Sequence, residues 1–114
     1  MEEEKGIINY DDFAKLDLRV GTIKKVEEIE GADKLYKLSV EIGKDKRTIC
    51  AGIKEHYSKD ELKGKQVVVV CNLEPRKMRG VESQGMLLAA VSDDHKKVIL
   101  LSPEKKADSG WKIS

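Results

Sequence analysis

Apolar and polar residues alternate in the clearest segment of the chain, with the period of two that is typical of a β-strand with one buried face. The apolar positions are Tyr36, Leu38, Val40 and Ile42. The glycine-containing segment 43–45 follows them and predicts a tight turn, after which residues 47–52 return as a second strand. This part of the chain therefore predicts a β-hairpin.

The segment before this hairpin predicts a longer and less regular strand. Leu18 and Val20 alternate with polar residues until Gly21 interrupts the pattern. The apolar phase then shifts at Ile23 and again at Val26. Such shifts are typical of a bulged, curving strand.

The second half of the chain predicts further strands. Residues 66–71 form a continuous, mostly β-branched run, which is typical of a strand buried on both faces. The other predicted strands cover residues 86–91, 98–101 and 111–113.

Two segments carry helical signals. Asn9 is placed to cap a short helix that ends at Leu16, and residues 53–65 have a helical pattern. Within the second segment, Ser58 and Glu61 have the spacing of a capping box, in which each side chain accepts a hydrogen bond from the other residue's backbone.

The order of these elements predicts an all-β protein with short helices. Three strands, a helical connection and two or more further strands match a five-stranded Greek-key barrel of the OB-fold type, with a C-terminal extension. A split barrel of the SH3 type is the main alternative. We expect residues 1–9 to form a tail and residues 10–114 a single domain.

Composition says more about the cellular environment of the protein than about its binding partner. The net charge is +1, with 22 basic and 21 acidic residues, so charge alone does not indicate nucleic acid. The apolar runs are too short to cross a membrane, and the acidic N-terminus lacks the features of a secretory signal. We expect a cytoplasmic protein in which Cys50 and Cys71 are buried, reduced thiols.

Candidate catalytic chemistry is sparse. His56 and His95 stand apart from each other, and the sequence contains no metal-ligand spacing and no glycine-rich phosphate loop. We therefore expect no catalytic residues, no metal and no cofactor.

The segment 72–85 is the unusual feature, because long connections without secondary structure tend to be functional. It carries three cations, Arg76, Lys77 and Arg79, and in an OB-fold it joins strands 4 and 5 beside the ligand face, near the turn with Lys34. Charge alone fits a solvated loop equally well, whereas its position favours an RNA ligand. Because the chain has few aromatic residues to stack on unpaired bases, contacts to phosphates and 2′-hydroxyls of folded RNA fit better.

Three segments, 17–23, 32–36 and 72–80, resemble the tRNA-binding domain family, which includes stand-alone dimeric proteins and domains of methionyl-tRNA synthetases. The resemblance implies an OB-fold that grips the outer corner of tRNA without reading the anticodon. It also implies assistance to a synthetase, of the methionyl type, in cis or in trans. The RNA-binding residues that it implies are Asn72, Arg76, Lys77, Arg79, Ser83 and Met86, with Lys34 beside the first loop.

Structural roles compete with some of these assignments. Asn72 can simply cap the turn, Ser83 can bond nearby backbone, and Met86 can belong to the core. Relatives of this type are similar in being homodimers, which implies that residues 92–114, with Trp111 and Ile113, form the pairing surface. The alternative is that this segment completes the core of the monomer.

Two other functions remain open from the sequence. A CsaA-like, dimeric peptide-binding chaperone shares the fold, although the basic segment 76–79 counts against it. A docking subunit that recruits a synthetase through protein contacts is the third possibility. The sequence also leaves open whether the chain is stand-alone or part of a longer synthetase.

Overall fold

The structure, a computed structural model, describes residues 5–114, so the predicted tail at residues 1–9 lies partly outside it. The elements of the described part are, in chain order, α1 (Tyr10–Ala14), β1 (Leu18–Glu28), β2 (Tyr36–Ile42), β3 (Asp45–Ala51), α2 (Lys59–Leu62), β4 (Gln66–Val70), β5 (Arg76–Met78), β6 (Val81–Ser83), β7 (Met86–Leu87), β8 (Ala89–Val91), β9 (Val98–Leu100) and β10 (Lys112–Ile113).

The main sheet is antiparallel and has the strand order β3-β2-β1-β4-β7. Strand β1 pairs with β4 along its first half and with β2 along its second half. The register between β1 and β2 shifts between Ile23 and Lys25, which confirms the bulge predicted from the sequence. The strand therefore curves through both halves of the sheet and curls it into the predicted all-β barrel.

Gly21 lies in β1 directly against the side chains of the core. A Cβ atom at this position would lie 2.7 Å from Cγ1 of Val40 and 3.0 Å from Cγ2 of Val69. Both distances are shorter than side chains tolerate, so the absence of a side chain lets β1 approach the facing strands.

The core consists of the inward residues of the first four strands, closed at one end by α2. Its largest fully buried side chains are Ile23, Leu38, Val40, Ile49, Leu62, Val67 and Val69. The alternation predicted for β2 is confirmed. The prediction that β4 is buried on both faces holds only in part. Val67 and Val69 face the core; on the opposite face Val70 is buried, whereas Val68 is half-buried.

The helical elements are shorter than predicted. The capping box is confirmed, because the Glu61 amide donates to Ser58 Oγ at 3.2 Å and the Ser58 amide donates to Glu61 Oε1 at 2.8 Å. The remainder of 53–65 consists of turns, such as the one in which the Ile53 carbonyl accepts from two amides. Asn9 caps α1 as predicted, but this helix ends at Ala14.

The predicted strand 86–91 is split at Leu88. The Leu88 amide donates to the Val68 carbonyl at 3.1 Å, whereas the Leu88 carbonyl accepts from the Leu101 amide at 3.0 Å. The Leu88 amide is therefore bonded to the main sheet, and the Leu88 carbonyl is bonded to the chain that follows β9 in the separate hairpin of β8 and β9.

The C-terminal segment is bound to the barrel. Strand β10 pairs with the start of β1, as the last predicted strand requires, and the Gly110 amide donates to the Val20 carbonyl at 2.7 Å. Ser109 Oγ donates to the Glu41 carbonyl, also at 2.7 Å. Part of the predicted pairing surface thus completes the monomer.

Cys50 and Cys71 are buried free thiols, as predicted. Among residues 5–114, no helix is long and apolar enough to span a membrane.

We expect Gly21→Ala to lower the free energy of unfolding by about 1–3 kcal/mol, because the new methyl group overpacks the core against Val40 and Val69. Urea unfolding followed by circular dichroism measures this loss. Gly52→Ala is the matched control, since a Cβ atom there meets its neighbours at ordinary distances of 3.9 Å or more. Equal stability of the two variants would contradict the tight approach of β1.

Candidate nucleic-acid interface

The basic segment forms a β-hairpin rather than the loop without secondary structure that was predicted. Strands β5 and β6 pair with Arg76 opposite Ser83 and Met78 opposite Val81. The two turn residues, Arg79 and Gly80, have positive φ angles of 51° and 81°. This is the conformation of a two-residue hairpin turn, and arginine in place of the usual asparagine or aspartate conceals it in the sequence.

The two ends of the hairpin segment are joined by Arg47 on β3. Its Nη1 atom donates to the Cys71 carbonyl at one end and to the Gln84 carbonyl, at 3.4 Å, at the other. Gln84 also exchanges two hydrogen bonds with the backbone of Thr48, at 2.8 and 3.1 Å. The hairpin therefore leaves the barrel from a fixed base.

Ser83 holds the hairpin to the edge of β3. It is only 5% exposed, and its Oγ accepts from the Cys50 amide at 2.9 Å and donates to the Gly85 carbonyl at 3.2 Å. The structure thus places this predicted RNA-binding residue beneath the hairpin, with its hydroxyl engaged by backbone groups.

Asn72 has a similar bridging position at the start of the segment. Its Oδ1 accepts from the Asp17 amide at 2.8 Å, and its Nδ2 donates to the Lys15 carbonyl at 2.6 Å. The side chain ties the end of β4 to the chain that enters β1, although the residue is exposed to solvent.

A second apolar cluster brings the first loop, residues 29–35, against the hairpin. Ile29 and Ala32 of this loop pack with Cys50 of β3 and with Met78 and Val81 of the hairpin. Burial in this cluster raises the pKa of the Cys50 thiol. The first loop is therefore in contact with the hairpin.

Lys54 fixes the first loop from the other side. Its amide donates to the Lys34 carbonyl at 3.2 Å, and its Nζ donates to Glu28 Oε1 at 2.7 Å. Hydrogen bonds from Lys54 and Lys59 lower the pKa of the Glu28 carboxyl below its ordinary value of 4.5. The backbone at Lys34 is held, while its own side chain is exposed.

The three hairpin cations do not form a single patch. The pairing register places Arg76 on the barrel-facing side and Lys77 on the opposite side, and Arg79 lies at the tip. All three residues are exposed, and within the described part of the chain none of them forms an ion pair with a carboxylate.

Lys37 is a further cation at this surface that was not among the predicted site residues. It lies on the outer face of β2, opposite Cys50 in the adjacent strand, and lines a shallow groove beside Gly80 and Glu82 of the hairpin. The alternation along β2 already assigns it to the polar face, but its nearness to the hairpin depends on tertiary contacts.

Met86 is 46% exposed and lines a cavity of about 230 Å³ at the base of the hairpin, which we call the Met86 cavity. Leu73, Met78 and Gly85 contribute to its wall, and Arg76 lies at its margin. Met86 therefore lies outside the closed core, in the wall of an open cavity.

Within residues 5–114 the structure brings together no group of three histidine, cysteine or carboxylate side chains that can hold a metal ion.

Comparison with known proteins concerns almost the whole chain. The profile of the tRNA binding domain family matches residues 18–112. The methionine–tRNA ligase of Pyrococcus horikoshii is 53% identical over 112 residues, which are 98% of this chain but 15% of that protein. The chain thus spans a small part of the curated relatives it matches.

Solved structures agree with this comparison. A methionyl-tRNA synthetase-related protein from Pyrococcus horikoshii has a TM-score of 0.91 and 39% identity, over 96% of this chain and 100% of that chain. The chaperone CsaA from Bacillus anthracis has a TM-score of 0.87 and 32% identity, over the same shares of the two chains.

We expect Ser83→Ala to lower the free energy of unfolding by about 1–3 kcal/mol, because the buried Cys50 amide loses its acceptor. Urea unfolding measures the change. Ser102→Ala, at an exposed serine, is the control and should alter stability by less than about 0.5 kcal/mol. A loss at Ser83 no larger than the control would mean that the hairpin is not held through this hydroxyl.

Proposed function

The chain belongs to the tRNA binding domain family, and we propose that it binds the folded shape of tRNA through the β5–β6 hairpin and the first loop. The observation that carries the proposal is a projecting hairpin whose cations are unpaired with carboxylates while its base is fixed to the barrel. Because the base of the hairpin is already fixed, its backbone loses little conformational entropy when the cations bind phosphates.

The arrangement of charge favours a concave RNA surface. Arg76, Lys77 and Arg79 lie on two faces and the tip of one ribbon, so a flat or single-stranded ligand would meet them only in part. A recess between RNA helices presents phosphates on several sides at once and matches this distribution. Lys37 adds charge beside the ribbon, and Lys34 adds an exposed cation on the first loop.

We assign different roles to the residues of the site. Arg76, Lys77, Arg79 and Lys34 contact phosphates, and Met86 contacts a base or sugar. Asn72 and Ser83, whose polar atoms are occupied by the backbone, position the hairpin instead of touching RNA.

We further propose that the chain is a non-catalytic, cytoplasmic module that raises the tRNA affinity of a methionyl-type synthetase, in cis or in trans. Its relatives include a methionine–tRNA ligase of which it matches 15%, so the binding energy of the module would add to that of a separate catalytic part.

Replacement of Arg76, Lys77 and Arg79 by alanine should weaken tRNA binding and reduce its salt dependence. Each phosphate contact that is lost lowers the slope of log affinity against log salt by about 1, so we expect a decrease of roughly 2–3. Filter binding of bulk tRNA between 50 and 200 mM salt, roughly the range over which counterion release is most visible, measures the slope.

The matched control removes three exposed lysines elsewhere: Lys63→Ala, Lys105→Ala and Lys106→Ala. It has the same loss of net charge and should keep most of the slope. Equal losses in both triple variants would indicate a general charge effect, and retention of single-stranded RNA as strong as that of folded tRNA would contradict recognition of shape.

A peptide-binding chaperone is the second candidate, because the similar structures include the chaperone CsaA at 32% identity. This role requires apolar contacts and does not need the hairpin cations. Suppression of the aggregation of an unfolded client that is undiminished in the Arg76, Lys77 and Arg79 triple variant, together with absent tRNA binding, would favour the chaperone.

We also propose that two copies of the chain pair through the hairpin of β8 and β9. This hairpin exposes Ala90 and Ile99, which are paired across the strands, together with Leu101; Ile99 is 59% exposed. Trp111 adds exposed apolar surface in the C-terminal segment. A second copy would remove this surface from water.

Ile99→Asp should convert the proposed dimer to a monomer, because it places a charge in the apolar contact. Sedimentation equilibrium measures the mass. Leu73→Asp, at an exposed leucine of the tRNA-binding side, is the control and should leave the mass of the assembly unchanged. A monomeric parent chain at micromolar concentration would contradict the pairing.

A further inference from the structure

The Met86 cavity is an open, largely apolar recess directly beneath the basic hairpin. Leu73 is 43% exposed and Met86 is 46% exposed, and both line the cavity together with the half-buried Met78. Surface leucine and methionine side chains that converge on one recess are costly to leave in water. Their arrangement indicates a ligand with an apolar face.

The size of the cavity limits that ligand to one small group. Its volume of about 230 Å³ is below the roughly 300–1,000 Å³ typical of pockets for drug-sized molecules. The unbranched side chains of Met78 and Met86 can adapt to the faces of different planar groups.

The margin of the cavity carries complementary polar groups. Glu74 and Arg76 both line it, and among residues 5–114 neither forms an ion pair. The Glu74 carboxylate is an acceptor, and the Arg76 guanidinium is a planar donor that can stack on a base or bind the adjoining phosphate.

We propose that the Met86 cavity takes one unpaired nucleobase extruded from folded RNA, with guanine preferred. The base would lie between Leu73 and the two methionines, while its flanking phosphates meet the hairpin cations. Guanine fits best because its Watson–Crick edge presents adjacent N1–H and N2–H donors to the two oxygens of Glu74. Uracil presents one N–H donor between two carbonyl oxygens, which the carboxylate repels.

The charge around the cavity distinguishes a base from an apolar peptide side chain. The hairpin that forms one wall carries Arg76, Lys77 and Arg79, so a polyanion would be drawn to the mouth of the cavity. An apolar peptide gains nothing from these cations. The inference rests on the proposed RNA-binding function and extends it from the shape of the ligand to one of its nucleotides.

The experiment compares RNA hairpins that share one stem and differ at a single bulged position: guanosine, adenosine, cytidine, uridine or no bulge. Filter binding at fixed salt gives their affinities. We expect the guanosine bulge to bind about tenfold more tightly than the unbulged stem and the uridine bulge to gain least. The preference should persist as salt rises, because it does not arise from counterion release.

Variants test whether the preference for a bulged guanosine arises in the Met86 cavity. Leu73→Ala and Met86→Ala should each reduce the advantage of all bulged stems, and Glu74→Gln should remove the preference for guanosine over uridine. Leu16→Ala and Glu55→Gln are the controls; Leu16 is as exposed as Leu73, at 42% and 43%, and Glu55 is also exposed. These controls should preserve the whole pattern of affinities.

Three outcomes would overturn the inference. Equal affinity for all stems, with salt-dependent tRNA binding intact, would reject the base cavity and leave the proposed function standing. Absence of any RNA binding would reject both. Loss of unfolded-client binding in Leu73→Ala and Met86→Ala, with RNA affinities unchanged, would assign the cavity to peptide side chains instead.

Discussion

Closure of the barrel at the free edge of β3 is the constraint on which the rest of the structure depends. An unpaired edge exposes backbone donors and acceptors, and here residues 83 and 84 satisfy them with Ser83 Oγ and with the side chain and amide of Gln84. Arg47 adds bonds to both ends of the hairpin segment. The contacts that close the fold are therefore the same ones that determine where the hairpin leaves it.

These shared contacts explain how a short hairpin can be held rigidly on the barrel. An isolated two-stranded ribbon is marginally stable in water. Here its inward residues Met78 and Val81 pack in the second apolar cluster with the first loop, so the barrel supplies the missing stability. The outward face and the tip then expose Lys77 and Arg79 to solvent.

The second apolar cluster also makes the site composite. The first loop, β3 and the hairpin meet through Ile29, Ala32 and Cys50, which joins segments far apart in the chain. Lys37 of β2 lies beside Gly80 and Glu82 of the hairpin as a result. The Met86 cavity lies beneath the hairpin, so the surface combines exposed positive charge with an apolar recess.

The sequence by itself determined the features that depend on neighbouring residues. Alternation placed the inward side chains of β2, spacing revealed the Ser58 and Glu61 capping box, and the phase shift located the bulge in β1. It also identified 72–85 as an unusual segment. It did not predict the hairpin within that segment, because the left-handed conformation of Arg79 is stable only in the folded protein.

Tertiary structure alone decided where the individual site residues lie and which groups they contact. Ser83 bonds to an amide 33 positions away and Asn72 to one 55 positions away, so no local pattern could reveal that these polar atoms are occupied. The position of Lys37 beside the hairpin and the opening at Met86 likewise arise where the barrel brings distant strands together. Local periodicity shows which face of a strand a residue occupies. Which other residues contact that face depends on the closure of the barrel.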